Sequence, residues 1–239
     1  MQLTLPVQLP ADETFSSFFP SGNEAVLNYL RTLGSNSSDI KHPITLLFGG
    51  ASTGKSHLLY AACHNAELQG QSSAYLNLSD FLHYSAEIFD GLEQLSLVCL
   101  DNIHCIAKDG TWEEALFDFI NKVVEKSNTG AHTHLLMTSA TPASELPFLL
   151  PDLISRLRWG LVYAIEQPTD DDKKAILALR AKQRGLSISS ATIDYLLSHG
   201  KRDLPYLMRV LSELDDLSLQ SKKKISLAML KQVLSTSDH

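Results

Sequence analysis

Cysteine is scarce in this sequence, and the few cysteines show no pairing pattern. The 239 residues include only Cys63, Cys99 and Cys105, and no two of them form a C-x-x-C motif. Cys63 and Cys99 stand in apolar segments that are typical of a protein core. A chain without a disulfide framework is typical of a reducing compartment, so we predict free thiols and a cytoplasmic location.

Long apolar runs and an excess of positive charge are also missing. No apolar run approaches the roughly 18–20 residues of a membrane span, and the N-terminus lacks the pattern of a signal peptide. We therefore expect no membrane partner. The net charge is −7 at pH 7, which argues against a basic surface that binds duplex DNA unaided. The histidines lack the spacing of a metal site, and no G-x-S-x-G nucleophile motif occurs.

A complete phosphate-binding loop is present between an apolar segment and a helical one. The motif G-x-x-x-x-G-K-[ST] begins at Gly49 and follows the β-prone segment 44–48. A helix is predicted from His57 to Gly70, so the motif has the strand–loop–helix context that it needs. Glycines allow the backbone N–H groups to surround phosphates, and the helix N-terminus adds its own N–H groups. Lys55 is predicted to reach the outer phosphates, and the Ser56 hydroxyl to bind Mg²⁺. We predict nucleotide contacts at Gly49, Gly50, Ala51, Ser52, Thr53, Gly54, Lys55, Ser56 and His57.

The pattern of apolar segments predicts an α/β fold up to residue 168. Near-continuous apolar strands separated by helices indicate a parallel sheet that is covered on both faces. We predict a five-stranded parallel sheet sandwiched by helices. The predicted strands are 44–48, 73–78, 96–101, 134–139 and 161–165, and the predicted helices include 22–33 and 112–126.

After Pro168 the strand signal ends and only helical patterns remain. Thr169 is predicted to cap a helix that runs to Arg184, because three aspartates follow it in the first turn. Further helices are predicted at about 189–198, at 203–219 and up to about Leu234. We therefore predict an extended tail at 1–12, a nucleotide-binding α/β domain at 13–168 and a small all-helical domain at 169–239.

An acidic residue ends the third predicted strand. Asp101 follows four apolar residues, and in phosphate-loop proteins such an acid holds Mg²⁺, partly through water. The alternative is that Asp101 only caps a turn. Asn102 follows where many ATPases of this architecture have a second carboxylate. Because an amide cannot accept a proton from water at neutral pH, we expect weak intrinsic ATP hydrolysis.

These motifs together resemble a known family. The phosphate loop, the strand end 97–103 and the segment 155–160 are similar to the AAA+ ATPases of the bacterial replication initiator DnaA. Within that family the sequence most resembles the Hda group of regulators, which inactivate DnaA. The resemblance extends from Gln2 to about Leu234. It implies an AAA+ phosphate-loop domain followed by a helical lid domain.

The resemblance implies roles for residues outside the phosphate loop. Phe15 and Phe18 match a segment that packs on the base and ribose, although both are equally compatible with the core. Arg156 matches the arginine finger, which in this family acts in trans on a neighbour's nucleotide. The alternative for Arg156 is a salt bridge on a helix surface, and Arg158 is the weaker finger candidate. Arg202 is the candidate to reach the bound nucleotide from the lid.

Two positions depart from the family pattern. Ala140 replaces a polar or acidic residue that senses the outer phosphate, so that only Thr138 or Ser139 remains for this role. Pro205 stands where the lid normally has a nucleotide-contacting arginine. With Asn102, these departures favour a site that is better suited to holding a nucleoside diphosphate than to hydrolysing a triphosphate. The predicted cofactors are therefore ADP, or another nucleoside diphosphate or triphosphate, and Mg²⁺.

The N-terminal tail is similar to the peptide that docks on the bacterial DNA polymerase III sliding clamp. In such peptides two leucines and a proline occupy an apolar groove while the glutamine fixes orientation. The alternative is a terminus with incidental apolar residues. The predicted clamp contacts are Gln2, Leu3, Leu5, Pro6 and Val7.

The resemblance favours a regulator over an autonomous enzyme. The first hypothesis is a protein that binds a nucleotide, docks on the clamp, contacts DNA only through it, and stimulates ATP hydrolysis by DnaA. The second is a self-sufficient AAA+ ATPase, such as a helicase loader that binds single-stranded DNA, and the third is a small-molecule kinase. The sequence leaves open whether the chain forms homo-oligomers.

Overall fold

A computed structural model describes residues 9–33, 42–128, 133–221 and 224–237. The chain forms two compact units, Met1–Glu166 and Gln167–His239. Within the described ranges, no helix is long and apolar enough to cross a membrane.

The first unit contains a five-stranded parallel sheet, as the sequence predicts. The strands have the order β2-β3-β4-β1-β5, so that β4 lies between β1 and β3. This order brings the C-terminal ends of β1, β3 and β4 together at one edge of the sheet, where parallel α/β folds bind ligands. The strands are β1 Ile44–Phe48, β2 Ser73–Asn77, β3 Leu97–Asp101, β4 His134–Ser139 and β5 Leu161–Ala164.

Helices cover both faces of this sheet. Alternate residues along each strand enter opposite cores: Leu46 and Leu100 pack on one side, whereas Leu47 and Cys99 pack on the other. All four side chains are completely buried. The helices of this unit are α1 Glu24–Thr32, α2 Lys55–Leu68, α3 Leu78–Phe81, α4 Gly110–Asn128 and α5 Pro151–Trp159.

The described residues of the second unit form only helices and the loops that join them. The Thr169 hydroxyl accepts a hydrogen bond from Asp172 N at 3.2 Å, and Thr169 N donates to Asp172 Oδ2 at 2.8 Å. This reciprocal cap confirms the predicted start of the first helix. The four helices share a separate apolar core, and they are α6 Asp170–Gln183, α7 Ser190–His199, α8 Leu204–Ser221 and α9 Leu227–Ser237.

Predicted boundaries agree closely with the structure for the long elements. Strand ends differ by at most one residue, and the helices predicted with both ends differ by at most two. The sequence patterns did not delimit α3 or α5. Both are short, and α5 begins at a proline after a Pro-containing segment that has no helical periodicity.

Candidate functional site

The phosphate loop leaves the end of β1 and enters α2. Gly54, the residue before α2, has φ +91°, a conformation that glycine adopts without steric cost. A Cβ atom on Gly54 would lie 2.8 Å from Phe18 Cε2, and one on Gly49 would lie 2.6 Å from Ile165 O. The loop therefore requires glycine at both positions, for backbone conformation at Gly54 and for space at both.

Lys55 is held against the inner side of the loop. Its Nζ donates hydrogen bonds to Gly49 O and Gly50 O, each at 2.7 Å. Burial lowers the pKa of Lys55, while the nearby charge of Asp101 opposes this shift. The ammonium group thus lies within the loop that the sequence predicts to surround phosphates.

Asp101 is buried at the end of β3 and is held by two hydroxyl groups. Tyr75 OH donates to Asp101 Oδ2 at 2.8 Å, and Thr138 Oγ1 donates to Asp101 Oδ1. Burial, and then the negative charge of Asp101, raise the pKa of Tyr75, so the phenol keeps the proton that it donates. The carboxylate is therefore fixed in orientation by side chains from β2 and β4, on either side of its own strand.

Asn102 is also held in place by neighbouring strands. It has a left-handed backbone conformation with φ +60°. Its backbone N donates to Thr138 Oγ1 at 2.9 Å, and its Nδ2 donates to Asn77 Oδ1 at 2.9 Å. The backbone N–H and the side-chain amide of Asn102 thereby point to β4 and β2. No sequence pattern indicated that Asn77 and Tyr75 belong to this site.

The hydroxyls of Thr138 and Ser139 are the two candidates for sensing the outer phosphate. Each donates a hydrogen bond within the protein, so neither could donate to a phosphate without breaking that bond. Thr138 joins Asp101 to Asn102, as described above. Ser139 Oγ donates to Thr141 O at 2.5 Å. Thr138 therefore serves as a bridge within the site, which the sequence did not indicate.

A magnesium ion at this site would need ligands from the nucleotide. Among the described residues, no group of three or more His, Cys, Asp or Glu side chains is arranged to hold a metal ion. Ser56, at the second position of α2, and Asp101 offer oxygen atoms, which suit Mg²⁺. Their chemistry fits an ion that is held mainly by phosphates and water.

The segment before α1 packs on α2. Phe15 and Phe18 are buried with this helix, and the Phe18 ring lies edge-on to His57 at 5.3 Å between centroids. The side chain of His57 donates from Nε2 to Thr14 O at 2.8 Å. Two turns further along α2, His64 Nε2 donates to Pro10 O at 3.0 Å. Two histidines therefore hold the N-terminal segment along the helix that carries the phosphate loop.

Arg156 lies on α5 and has no partner among the described residues. Leu153 and Leu157 on this helix are fully buried, whereas Arg156 is half-buried and Arg158 is exposed. Within the described part of the chain, the Arg156 guanidinium makes no hydrogen bond and no ion pair. The structure thus gives no support to the alternative of a surface salt bridge.

The remaining predicted site residues lie elsewhere. Arg202 is in the second unit, in the loop before α8, and its Nη1 pairs with Asp170 Oδ2 at 2.9 Å. The predicted clamp contacts at Gln2, Leu3, Leu5, Pro6 and Val7 fall outside the described residues. The nucleotide contact of Arg202 and the clamp contacts both remain predictions.

Solved structures of known proteins share this fold. Domain III of the replication initiation protein DnaA from Thermotoga maritima has 17% identity and a TM-score of 0.78, with 95% of this chain and 98% of that chain covered. AMPPCP-bound DnaA from Aquifex aeolicus has 21% identity and a TM-score of 0.72, with 88% of this chain and 67% of that chain covered. The Thermotoga maritima RuvB Holliday junction branch migration motor has 17% identity and a TM-score of 0.64, with 90% of this chain and 69% of that chain covered.

Family models assign both parts of the chain. Residues 9–164 match the model described as the bacterial DnaA ATPase domain, and residues 170–234 match the model described as the lid domain of Hda. The first match alone includes more than half of the 239 residues. The chain therefore belongs to the DnaA-related family of AAA+ proteins and carries a lid domain of the Hda type.

Proposed function

We propose that this protein is a nucleotide-binding regulator of replication initiation that acts on DnaA. In this proposal it docks on the sliding clamp, presents Arg156 to ATP bound by DnaA, and accelerates hydrolysis of that ATP. The family assignment supports a DnaA-related role in replication. The two finer steps, clamp docking and the finger, depend on particular residues.

Nucleotide binding is supported by the phosphate loop and by the family. DnaA from Aquifex aeolicus is bound to AMPPCP in its solved structure. In this chain Lys55 would bind the outer phosphates of ADP or a related nucleotide, and the backbone N–H groups of the loop would bind the others. When bound, Mg²⁺ neutralises phosphate charge, and here Ser56 and Asp101 would hold it, the latter through water.

Weak intrinsic hydrolysis follows from the residues around Asp101. Asn102 carries no carboxylate, and its Nδ2 is already bound to Asn77. Neither Asn102 nor Asn77 can therefore accept a proton from the attacking water, as a catalytic carboxylate would. This supports a protein that holds its nucleotide and activates hydrolysis in a partner.

The observation that carries the proposal is that the Arg156 guanidinium has no hydrogen-bond or ion-pair partner among the described residues. A half-buried arginine without a carboxylate partner is fully charged and keeps all five N–H donors for another molecule. Because the residue is half-buried, its side chain already has restricted freedom, which lowers the entropy lost on binding phosphate. DnaA-bound ATP offers the matching oxygen atoms, and a finger supplied from outside can increase hydrolysis by about 10³–10⁵ in GTPases.

The test is to replace Arg156 and measure ATP hydrolysis by DnaA on DNA loaded with the clamp. Arg156→Ala should fold, bind ADP and bind the clamp, but it should lower the stimulated rate by at least about tenfold. Arg156→Lys should also fail, because an ammonium group cannot contact two phosphate oxygens side by side. Arg158→Ala is the matched control on the same helix and should keep most of the stimulation. Normal stimulation by Arg156→Ala would refute the proposed mechanism.

Clamp docking requires a separate test because the tail is distant in sequence from Arg156. Replacing Gln2, Leu5 and Pro6 together with alanine should abolish co-elution with the clamp. The same variant should keep its ADP affinity and melting temperature, since the tail precedes the folded core. Continued co-elution of this variant would show that the tail is not the docking element.

A self-sufficient ATPase is the second candidate function. One DnaA relative is bound to AMPPCP and to single-stranded DNA in its solved structure, which favours this alternative as the competitor to test. Turnover by the isolated protein in the common enzyme range of roughly 1–10³ s⁻¹ would support the ATPase and contradict the regulator.

A further inference from the structure

One buried carboxylate joins the loop after Asp101 to the start of the helix that carries Arg156. Glu113 lies in the first turn of α4, and its side chain is completely inaccessible to solvent. Its Oε1 accepts a hydrogen bond from Lys108 N at 2.7 Å, and its Oε2 accepts one from Leu150 N at 2.8 Å. Each oxygen is thus committed to a different loop.

The two loops are those that determine the geometry of the candidate site. Lys108 has φ +71° and ends the loop that follows Asp101 and Asn102 through the 3₁₀ turn Ile103–Ile106. Leu150 is the N-cap residue of α5, six residues before Arg156. At this cap the chain has no side-chain hydrogen bond of its own.

We propose that Glu113 is a positioning residue, which holds α5 and therefore Arg156 at a fixed place relative to the loop after Asp101. This inference rests on the proposed function, since it concerns the same arginine. Hydrogen bonds from backbone N–H groups to a carboxylate are about twice as strong as neutral ones, and the Glu113 side chain itself is inaccessible to water.

The hydrogen bond from Leu150 N to Glu113 would hold the first turn of α5 in a fixed position. Leu153 and Leu157 bury one face of the helix, but apolar packing is non-directional and does not by itself specify the exact position of the helix along that face. The bond from Leu150 N fixes its first turn. An arginine that must meet a phosphate in another protein is sensitive to such shifts, since a displacement of about 1 Å can cost about 100-fold in rate.

Glu113→Gln is the discriminating substitution. The amide keeps the size of the side chain but retains only one acceptor oxygen, and its NH₂ group faces a backbone N–H donor. Thr45→Val is the matched control, because Thr45 is also fully buried and its hydroxyl is bonded to Tyr29 OH at 3.1 Å and His134 Nε2 at 3.0 Å. This control also loses two hydrogen bonds of a fully buried side chain in the first unit, and it does not alter the side chain that binds the two loops.

The first readout does not need DnaA. Hydrogen exchange of the backbone N–H groups of Leu150 and of residues 152–154 should become at least about tenfold faster in Glu113→Gln. In Thr45→Val the exchange of this segment should stay at the wild-type rate. Unchanged exchange at 150–154 in Glu113→Gln would overturn the inference, whatever the fate of the proposed function.

The second readout separates positioning from stability. With DnaA on clamp-loaded DNA, Glu113→Gln should lower the maximal stimulated hydrolysis rate by about tenfold or more. Its half-maximal concentration and its ADP affinity should remain within about threefold of wild type, and Thr45→Val should keep the maximal rate. If both variants lose rate in proportion to their lost stability, Glu113 has only a structural role.

The two tests also separate this inference from the proposed function. If Arg156→Ala stimulates DnaA normally, the proposed function fails, and the exchange experiment alone decides whether Glu113 holds α5. If Arg156→Ala is inactive and Glu113→Gln has the wild-type maximal rate, only the positioning role is refuted.

Discussion

Replacing Thr138 with valine removes a single oxygen atom from the centre of the candidate site. Thr138 is completely buried in β4, and its hydroxyl accepts from Asn102 N at 2.9 Å and donates to Asp101 Oδ1. Valine has nearly the same shape, so the change creates no cavity. It leaves a buried carboxylate with one hydrogen bond fewer and a backbone N–H without a partner.

The expected cost follows from these two losses. A hydrogen bond to a charged group contributes about 1.5–3 kcal/mol, and an orphaned buried donor costs about 1–3 kcal/mol. Because Asn102 is only half-buried, its orphaned N–H should cost less than the upper limit, and we expect Thr138→Val to lower the free energy of unfolding of the first unit by about 2.5–5 kcal/mol. Thr138→Ser keeps the hydroxyl and loses one methyl group, so it should cost only about 1 kcal/mol.

Urea unfolding followed by tryptophan fluorescence measures this difference. Both tryptophans, Trp112 and Trp159, lie in the first unit, so the signal reports that unit without the lid. The Mg²⁺-dependent part of the ADP affinity, measured by calorimetry, should fall in Thr138→Val and persist in Thr138→Ser. Equal stabilities of the valine and serine variants would refute the role assigned to this hydroxyl.

Two further predictions concern acid stability and the phosphate loop. Burial lowers the pKa of His134 to about 4, whereas an unfolded histidine titrates near 6.5. Its contribution to stability is therefore present above pH 6.5 and is lost as the pH falls towards 4, by about 2 kcal/mol at pH 5. In urea unfolding, the stability difference between wild type and His134→Gln should shrink by that amount between pH 7.5 and pH 5, and parallel pH profiles would contradict this. Gly54→Ala should strongly weaken ADP binding because the new Cβ would meet Phe18. Gly70 also has a positive φ but has open space around it, so Gly70→Ala should cost only backbone strain and keep the ADP affinity. Equal ADP affinities of the two variants in a calorimetric titration would refute the role of Gly54.

The sequence predicted the parts of this fold that depend on local patterns. The strands of a buried parallel sheet are continuous apolar runs, and the phosphate loop has a fixed spacing of glycines beside Lys55. Both signals are contained in short segments. The cap at Thr169 was also predictable, because the capping residues stand within one turn of each other.

The contacts around Asp101 depend instead on strand register. Tyr75 reaches the carboxylate because β2 pairs with β3, and Thr138 does so because β4 flanks β3 on the other side. Nothing in the local sequence specifies this pairing. For the same reason Glu113 was overlooked, since its two backbone partners come from segments that are separated in sequence by 42 residues, from Lys108 to Leu150. The predicted start of the helix at 203 placed Arg202 just before α8, as observed, but the ion pair of Arg202 with Asp170 depends on tertiary packing that no local pattern specifies.

The two histidines on α2 have a mechanical consequence for the tail. His64 fixes Pro10, and the proposed clamp motif ends at Val7, only three residues earlier. Because three residues span at most about 10 Å when fully extended, a partner bound at the proposed motif would be held within about that distance of Pro10. A protein held this closely to a clamp would be present at a high local concentration for other molecules beside the clamp, but only within a small radius. The clamp would thus define both where the regulator is found and how far its arginine extends.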